Sequence, residues 1–271
     1  MVLKFTKMHG LGNDFMVVEA REGAPLPRAE DWRALADRHT GIGFDQALVI
    51  LPPRDANTAA FYRIFNADGG EVEQCGNGAR CVAEWLRREG RVRHSGSANP
   101  IYLDSLGGRI EALFAAPGTV SVNMGIPRFP QTGATTLDVD GVKTTFIEVS
   151  MGNPHVVIKV DDVSTAPVST LGRTLESHAR FPNRTNVGFL QVVDRHHARL
   201  RVFERGVGET RACGTGACAA MAAGHRSGWL ADDVQMLLPG GALQLRWTGE
   251  GQPLWMTGPA AVSFHGEIEI P

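Results

Sequence analysis

Residues 65–81 read FNADGGEVEQCGNGARC, and 138 positions later residues 203–218 read FERGVGETRACGTGAC. With no gap, Phe65 falls on Phe203, Gly70 on Gly208, Glu71 on Glu209, Cys75 on Cys213, Gly76 on Gly214, Gly78 on Gly216 and Ala79 on Ala217. Further out, Thr40, Gly43, Phe44 and Gln46 recur as Thr185, Gly188, Phe189 and Gln191, while Gly12, Asn13, Val17 and Val18 recur as Gly152, Asn153, Val157 and Ile158. Three segments kept in one order argue for two copies of one unit. Each copy joins short strand patterns, at 61–65, 155–160 and 198–203, to a helix over 79–88 or 217–227 that is rich in Ala, Leu and Arg. Gly90 and Gly228 stand where those helices stop. The fold class expected is therefore α/β or α+β, with two pseudosymmetric domains. Pro117 and Gly118 break the pattern between the copies, which places the domains at 1–117 and 118–262.

A chain of 271 residues with 43% apolar content can bury a sizeable core. Its 27 basic and 29 acidic residues leave a net charge of -2, so no strong field draws nucleic acid or an anionic membrane. No apolar run approaches the roughly 20 residues that span a bilayer, and the expected location is the cytoplasm. The expected partners are a small-molecule substrate and a second copy of the chain, as a homodimer. Four cysteines are too few for a disulfide scaffold at this length.

Cys75 and Cys213 each open a helix and are each followed by Gly. The N–H groups and dipole at a helix start favour a thiolate and lower the ordinary thiol pKa of about 8.5. Small residues after the cysteine let a substrate carboxylate approach the same backbone donors. If the two copies face one another about a pseudo-twofold axis, one sulfur lies on each face of an α-carbon held by that carboxylate. A thiolate then removes the proton while the opposite thiol delivers another, which inverts the stereocentre. Cys81 and Cys218 fall out of register and are expected in the core. A zinc site from all four cysteines is the competing reading, although their spacings are looser than C-x2-C pairs. Pyridoxal phosphate needs a Schiff-base lysine, and none of Lys4, Lys7, Lys143 and Lys159 has a convincing setting, so no cofactor and no metal are expected. Gly10 and Gly12 lead to Phe15 where a dinucleotide-binding fingerprint needs its third glycine.

Proton transfer between matched sulfurs needs matched elements, whereas an unsymmetrical substrate is read where the copies differ. Asn66 stands against Glu204, Ala67 against Arg205, Gly41 against Asn186 and Phe15 against His155. Arg205 offers a bidentate fork for a second carboxylate, and Glu204 accepts from an ammonium group.

The segments 9–15 (HGLGNDF), 65–81, 152–155 (GNPH), 184–187 (RTNV) and 204–218 (ERGVGETRACGTGAC) resemble the signatures of the diaminopimelate epimerase family, and the resemblance runs from Phe5 to Ile268. It implies two pseudosymmetric domains, each a mixed sheet or barrel around a central helix, with a C-terminal strand at 263–271 returning to the first. It also implies Cys75 and Cys213 as acid and base, and carboxylate binding by the backbone at Gly76, Asn77, Gly214 and Thr215. Asn13, Gln46, Asn66, Asn153, His155, Asn186, Glu204 and Arg205 carry the remaining substrate contacts in that reading. The reaction implied is epimerisation of LL-2,6-diaminopimelate to the meso form, in lysine and peptidoglycan precursor biosynthesis. Gly188 stands where the family more usually has a larger polar residue. Two alternatives stay open: a racemase of proline or hydroxyproline, and a noncatalytic zinc- or thiol-binding protein.

Overall fold

A computed structural model of the chain describes residues 2–73, 75–92 and 99–270; Met1, Gln74 in the first cysteine motif and Pro271 at the end of the returning segment lie outside them. The chain divides into two compact units, Met1–Val122 with Gly258–Pro271, and Asn123–Thr257. The first unit runs β1 (Val2–Gly10), β2 (Asn13–Glu19), α1 (Ala29–Ala36), β3 (Gln46–Leu51), β4 (Ala60–Asn66), β5 (Glu71–Val72), α2 (Gly76–Arg88), β6 (Ile101–Ser105), β7 (Gly108–Ala116) and β8 (Thr119–Asn123). The second runs β9 (Thr135–Val139), β10 (Val142–Ser150), β11 (Pro154–Lys159), α3 (Leu171–Glu176), β12 (Asn186–Val192), β13 (His197–Glu204), β14 (Gly208–Thr210), α4 (Gly214–Arg226), β15 (Asp233–Leu238), β16 (Gly241–Arg246) and β17 (Trp255–Pro259). A last strand, β18 (Ala261–Glu269), belongs to the first unit.

One pairing scheme serves both units. In the first, β1 lies antiparallel to β18 and to β2, β2 is parallel to β3, β3 antiparallel to β4, β4 antiparallel to β5 and parallel to β6, and β6, β7 and β8 follow antiparallel. In the second, β10 lies antiparallel to β9 and β11, β11 is parallel to β12, β12 antiparallel to β13, β13 antiparallel to β14 and parallel to β15, and β16 and β17 follow antiparallel. The duplication is thus written in hydrogen bonds as well as in residues. The C-terminal strand β18 occupies beside β1 the place that β9 occupies beside β10, with Val2 opposite Glu269 and His9 opposite Ala261.

The register corrects one reading of the sequence. Phe15 pairs with Gln46 across β2 and β3, and His155 pairs with Asn186 across β11 and β12. Gln46 likewise faces Asn66, and Val187 faces Phe203, which sets Asn186 against Glu204. Gln46 is therefore the counterpart of Asn186, and Asp45 of Thr185. The match of Thr40, Gly43, Phe44 and Gln46 to Thr185, Gly188, Phe189 and Gln191, and of Gly41 to Asn186, does not hold. Short local identity misled there, because β-strand equivalence is fixed by ladder pairing across the sheet and a shift of even one residue reverses every side chain.

Each sheet is buried on two sides. One face of β3 sends Ala47 and Val49 into a cluster with Trp32 and Leu35 of α1, and Trp32 stacks on Phe65 at 5.3 Å between ring centroids. In the second unit Val187 and Phe189 of β12 pack with Leu175 of α3. The other face curls around a long helix: α2 touches β1, β2, β3, β6 and β7, and α4 touches β10 to β13, β15 and β16. A helix wrapped in this way must be buried nearly all round. α4 meets that demand with Ala217, Ala219, Ala220, Ala222 and Ala223, whose small side chains let strands approach closely. α2 instead buries Arg80 and Glu84, the latter held by Arg87 and Arg88. Both helices end as the sequence predicts, on a left-handed Gly90 (φ 67°) and Gly228 (φ 72°).

Close packing of α4 generates a stability prediction. A methyl group on Gly224 would come within 2.5 Å of Leu230 Cδ1 and 2.8 Å of its Cγ, and Leu230 is itself buried. Gly to Ala inside a helix ordinarily gains up to about 1 kcal/mol, but forcing a methyl into a filled core costs about 1–3 kcal/mol. Gly224→Ala is expected to lower the calorimetric unfolding midpoint. A raised midpoint would show that Leu230 steps aside at little cost.

Candidate active site

Cys75 and Cys213 are the N-cap residues of α2 and α4, in extended backbone conformation. The first intrahelical bonds run from Ala79 N–H to Cys75 O and from Ala217 N–H to Cys213 O, both 2.9 Å. The N–H groups of Gly76 and Asn77, and of Gly214 and Thr215, therefore precede the helical ladder, where a bound anion is favoured. Gly78 N–H donates to Cys75 Sγ at 3.4 Å. Glycine at the third residue relieves crowding: a Cβ on Gly216 would stand 3.1 Å from Cys213 Sγ and 3.0 Å from Val202 Cγ2.

In the first unit an amide cluster surrounds Cys75. Asn13 follows a turn through Leu11 and Gly12, both at positive φ. Its Oδ1 accepts from Asn77 Nδ2 at 3.1 Å and lies 4.0 Å from Cys75 Sγ, while its Nδ2 donates to Asp45 Oδ2 at 2.9 Å. Gln46 Nε2 donates to Asn66 Oδ1 at 2.9 Å across β3 and β4, and Gln46 Oε1 is buried without a hydrogen-bond partner. Asn13 and Asn77 thus stand together at the Cys75 sulfur, and Gln46 and Asn66 form a separate amide pair across β3 and β4.

The second unit repeats the frame with other chemistry. Asn153 Nδ2 donates to Thr215 Oγ1 at 3.4 Å, its Oδ1 meets His155 Nε2 at 3.0 Å, and Thr215 Oγ1 lies 3.8 Å from Cys213 Sγ. Asn186 is tied at both ends, donating to Pro154 O at 3.0 Å and accepting from Arg205 N–H at 3.0 Å. Its amide fixes the Glu204–Arg205 corner. Arg205 is exposed and donates from Nη1 to Asn183 O at 3.0 Å. Glu204 accepts from the Thr210 hydroxyl and stands beside Cys213. Burial first, then the Glu204 carboxylate, push the Cys213 thiol well above its ordinary range, against a smaller pull from Gly216 N–H and the Thr215 hydroxyl. Cys213 is accordingly held as a neutral thiol. Cys81 and Cys218 are fully buried, and burial pushes Cys81 up to about 12.

Of the residues expected from the sequence, Asn13 and Asn77 gather at Cys75, Asn153, His155, Thr215 and Glu204 at Cys213, Asn186 holds the backbone of Arg205, and Gln46 and Asn66 bond to one another. Missed were Asp45, which orients Asn13, and Thr210, which holds Glu204. Asp45 directly precedes Gln46, and aligning the copies by strand register would have set it against the neutral Thr185 as a charge present in one copy only. Thr210 carried no signal, since Glu204 becomes its neighbour only through the β13–β14 turn. Gly188 has room for a side chain, the nearest atom to a Cβ there being Leu200 Cδ1 at 3.4 Å.

With this geometry in hand, comparison with known proteins gives a family. A family model described as Diaminopimelate epimerase matches residues 5–130 and 147–263. The diaminopimelate epimerase of Ectopseudomonas mendocina (strain ymp) is 50% identical over 283 aligned positions, covering 100% of both chains. That of Pseudomonas aeruginosa (strain LESB58) is 49% identical over 281, with 100% of both chains covered. Among solved structures, a hydroxyproline epimerase from Agrobacterium vitis with bound trans-4-OH-L-proline superposes with a TM-score of 0.75 at 16% identity, over 98% of this chain and 92% of its own. The Bacillus anthracis phenazine biosynthesis protein of the PhzF family gives 0.76 at 16% identity over 100% of both chains. At such identities the structural likeness concerns the fold alone.

The buried ring of His155 makes stability pH-dependent. Burial first, then the Arg205 cation, lower its pKa from 6.5 to about 3, so the folded chain keeps it neutral. The unfolded chain binds a proton near pH 6.5 that the folded chain refuses until about pH 3, so stability is full above the upper value and falls as pH drops through that window. At pH 5 the loss amounts to about 2 kcal/mol. His155→Phe, which installs the side chain of the matching Phe15, is expected to remove this component. Urea midpoints at pH 7 and pH 5 measure it, and equal pH sensitivity of variant and parent would contradict a buried neutral ring.

Proposed function

The chain belongs to the diaminopimelate epimerase family, and from that premise we propose that it interconverts LL-2,6-diaminopimelate and meso-diaminopimelate without a cofactor, with Cys75 and Cys213 as acid and base. The observation that carries this reading is the placement of Cys75 and Cys213, unlike Cys81 and Cys218, as N-caps of the two equivalent helices. Inversion requires a thiolate on one face of the α-carbon and a thiol on the other. For the isomer whose α-hydrogen faces Cys75, that sulfur removes the proton while Cys213 delivers one, and the other isomer runs in reverse. The substrate carboxylate takes the leading N–H groups at Gly76, Asn77, Gly214 and Thr215, and these donors stabilise it as it gains enolate character.

The remaining assignments follow from chemistry. Asn13, Gln46, Asn66 and Asn153 present amides to the substrate. Neutral His155 holds Asn153, and Asn186 fixes the corner from which Glu204 receives an ammonium group and Arg205 clasps the distal carboxylate. A bidentate carboxylate clasp uses the planar guanidinium fork, which lysine lacks. The reaction serves lysine and peptidoglycan precursor synthesis in the cytoplasm, and the working form proposed is a homodimer. Sedimentation of the active protein as a monomer would set the dimer aside. No helix of the described residues is long and apolar enough to cross a membrane.

Two predictions test this reading. Cys75→Ala and Cys213→Ala are each expected to cut epimerisation by at least about 10²–10⁴-fold, with Cys81→Ala and Cys218→Ala affecting stability more than rate. The measurement is deuterium uptake at the α-carbon of diaminopimelate in deuterated water. Uptake at the parental rate by Cys75→Ala or Cys213→Ala would refute the mechanism, and none by well-folded parent would refute the reaction. Arg205→Lys is expected to lose kcat/KM for diaminopimelate, and the parent is expected to turn over alanine or proline poorly. Efficient proline racemisation by the parent would overturn the assignment of Arg205.

A further inference from the structure

The equivalent asparagines of the two units point their amides in opposite senses. Asn153 turns its Nδ2 to Thr215 at the start of α4 and its Oδ1 to His155. Asn13 turns its Oδ1 to Asn77 and the Cys75 sulfur at the start of α2, and its Nδ2 to Asp45. The sense in the first unit is dictated chemically, because a carboxylate accepts hydrogen bonds and cannot donate one. Asp45 is in turn held on three sides. Its Oδ2 accepts Asp14 N–H at 3.1 Å as well as the Asn13 amide, and its Oδ1 accepts Arg38 Nη2 at 2.8 Å. Arg38 also grips Asp14, at 2.7 Å and 2.9 Å, and Lys7 grips both Asp14 and Gly43 O. The second unit has Thr185 at the position of Asp45 and supplies His155 instead.

We propose that Asp45 is a positioning residue for Cys75: it locks the Asn13 amide with the carbonyl oxygen toward the sulfur, so that the sulfur faces an acceptor there as well as the Gly78 N–H donor. An acceptor opposite the sulfur favours the S–H form and disfavours the thiolate. The consequence is chemical: a thiolate that forms too readily is a weak base toward an α-proton, and transfer is best when the base titrates near the working pH. Losing the lock lets the amide turn its NH2 group to the sulfur and makes Cys75 more acidic but less basic. Titratable groups that interact with Cys75 include Tyr62 on β4 and Cys81 on α2, both buried. Beyond Asn13 stand Lys7, Asp14 and Arg38.

This inference builds on the proposed role of Cys75 but is tested without turnover. The pH dependence of iodoacetamide alkylation at Cys75, followed by peptide mapping on the intact enzyme, is measured for the parent and Asp45→Ala at low salt and in 1 M KCl. The midpoint of the variant is expected to fall by on the order of one pH unit in both salts. Removing an exposed anion also lowers a thiol pKa through space, but 1 M salt confines that effect to about 3 Å. A midpoint that does not move, or a shift that vanishes in 1 M KCl, overturns the proposal. Circular dichroism checks the fold. If Asp45→Ala does not fold, Asp45→Val carries the same expectation, since it has the shape of the matching Thr185 and no acceptor for the Asn13 amide. A shifted profile in a protein that exchanges no α-proton would keep the lock and reject the epimerase reading.

Discussion

Each unit is built around the start of a buried helix, where the first N–H groups have no partner within the helix. The bodies of α2 and α4 are enclosed by their sheets, but Cys75, Gly76 and Thr215 at their starts are only partly buried, which leaves those donors open to a ligand. Cysteine at the N-cap answers part of this need in α2, since its sulfur accepts the Gly78 N–H. The same requirement makes the site chemically useful. The helix start favours a negative charge on a capping sulfur, although at Cys213 burial and the Glu204 carboxylate outweigh it, and a side chain on the glycine three residues on would crowd Leu48 or Val202. Structure and reactivity here are one arrangement.

On that shared frame the two units carry different polar chemistry. The frame is duplicated down to single ion pairs: Arg63 meets Glu71 and Arg201 meets Glu209 with the same two contacts, at 2.6 Å and 2.9 Å. Such part-exposed pairs add little stability, and their repetition mainly records that β4 with β5 and β13 with β14 are the same hairpin. The residues next to the cysteines diverge. Asn66 becomes Glu204, Phe15 becomes His155, and Gln46 becomes Asn186. Matched cysteine-capped helix starts with different polar neighbours suit a reaction whose two proton transfers are alike and whose substrate presents one end to react and the other to be held.

Charge in the first unit is concentrated behind this wall. Burial opposes the ionised Asp14 most, yet the hydrogen bonds and charges of Arg38 and Lys7 outweigh it and hold its carboxyl at about 2. Lys7 on β1, Asp14 on β2 and the segment carrying Arg38, Gly43 and Asp45 are thereby tied together around the Asn13 turn. An amide aimed at a sulfur needs such backing, because an asparagine held at one end alone can reverse at little cost.

Much of this was legible in the chain because it is local. The repeat of a cysteine followed by glycines, the helices after them and the glycines that end them are signals within about fifteen residues, and the helix start explains why those cysteines matter. Alignment of Asn66 with Glu204 and of Phe15 with His155 was likewise readable from nearby identities. The counterpart of Gln46 was not: the matching of Thr40 to Gln46 with Thr185 to Gln191 looked sound in sequence, yet hydrogen-bonded register joins Gln46 to Asn186. Register is a property of strands brought together from distant parts of the chain, and no local pattern encodes it here. For the same reason the polarity of the Asn13 amide, the neutral burial of His155 and the high proton affinity of Cys213 were decided only by the tertiary structure. Each depends on a neighbour far along the chain, Asp45, Arg205 or the walls that exclude water, and a charge or hydrogen bond acts through space rather than along sequence.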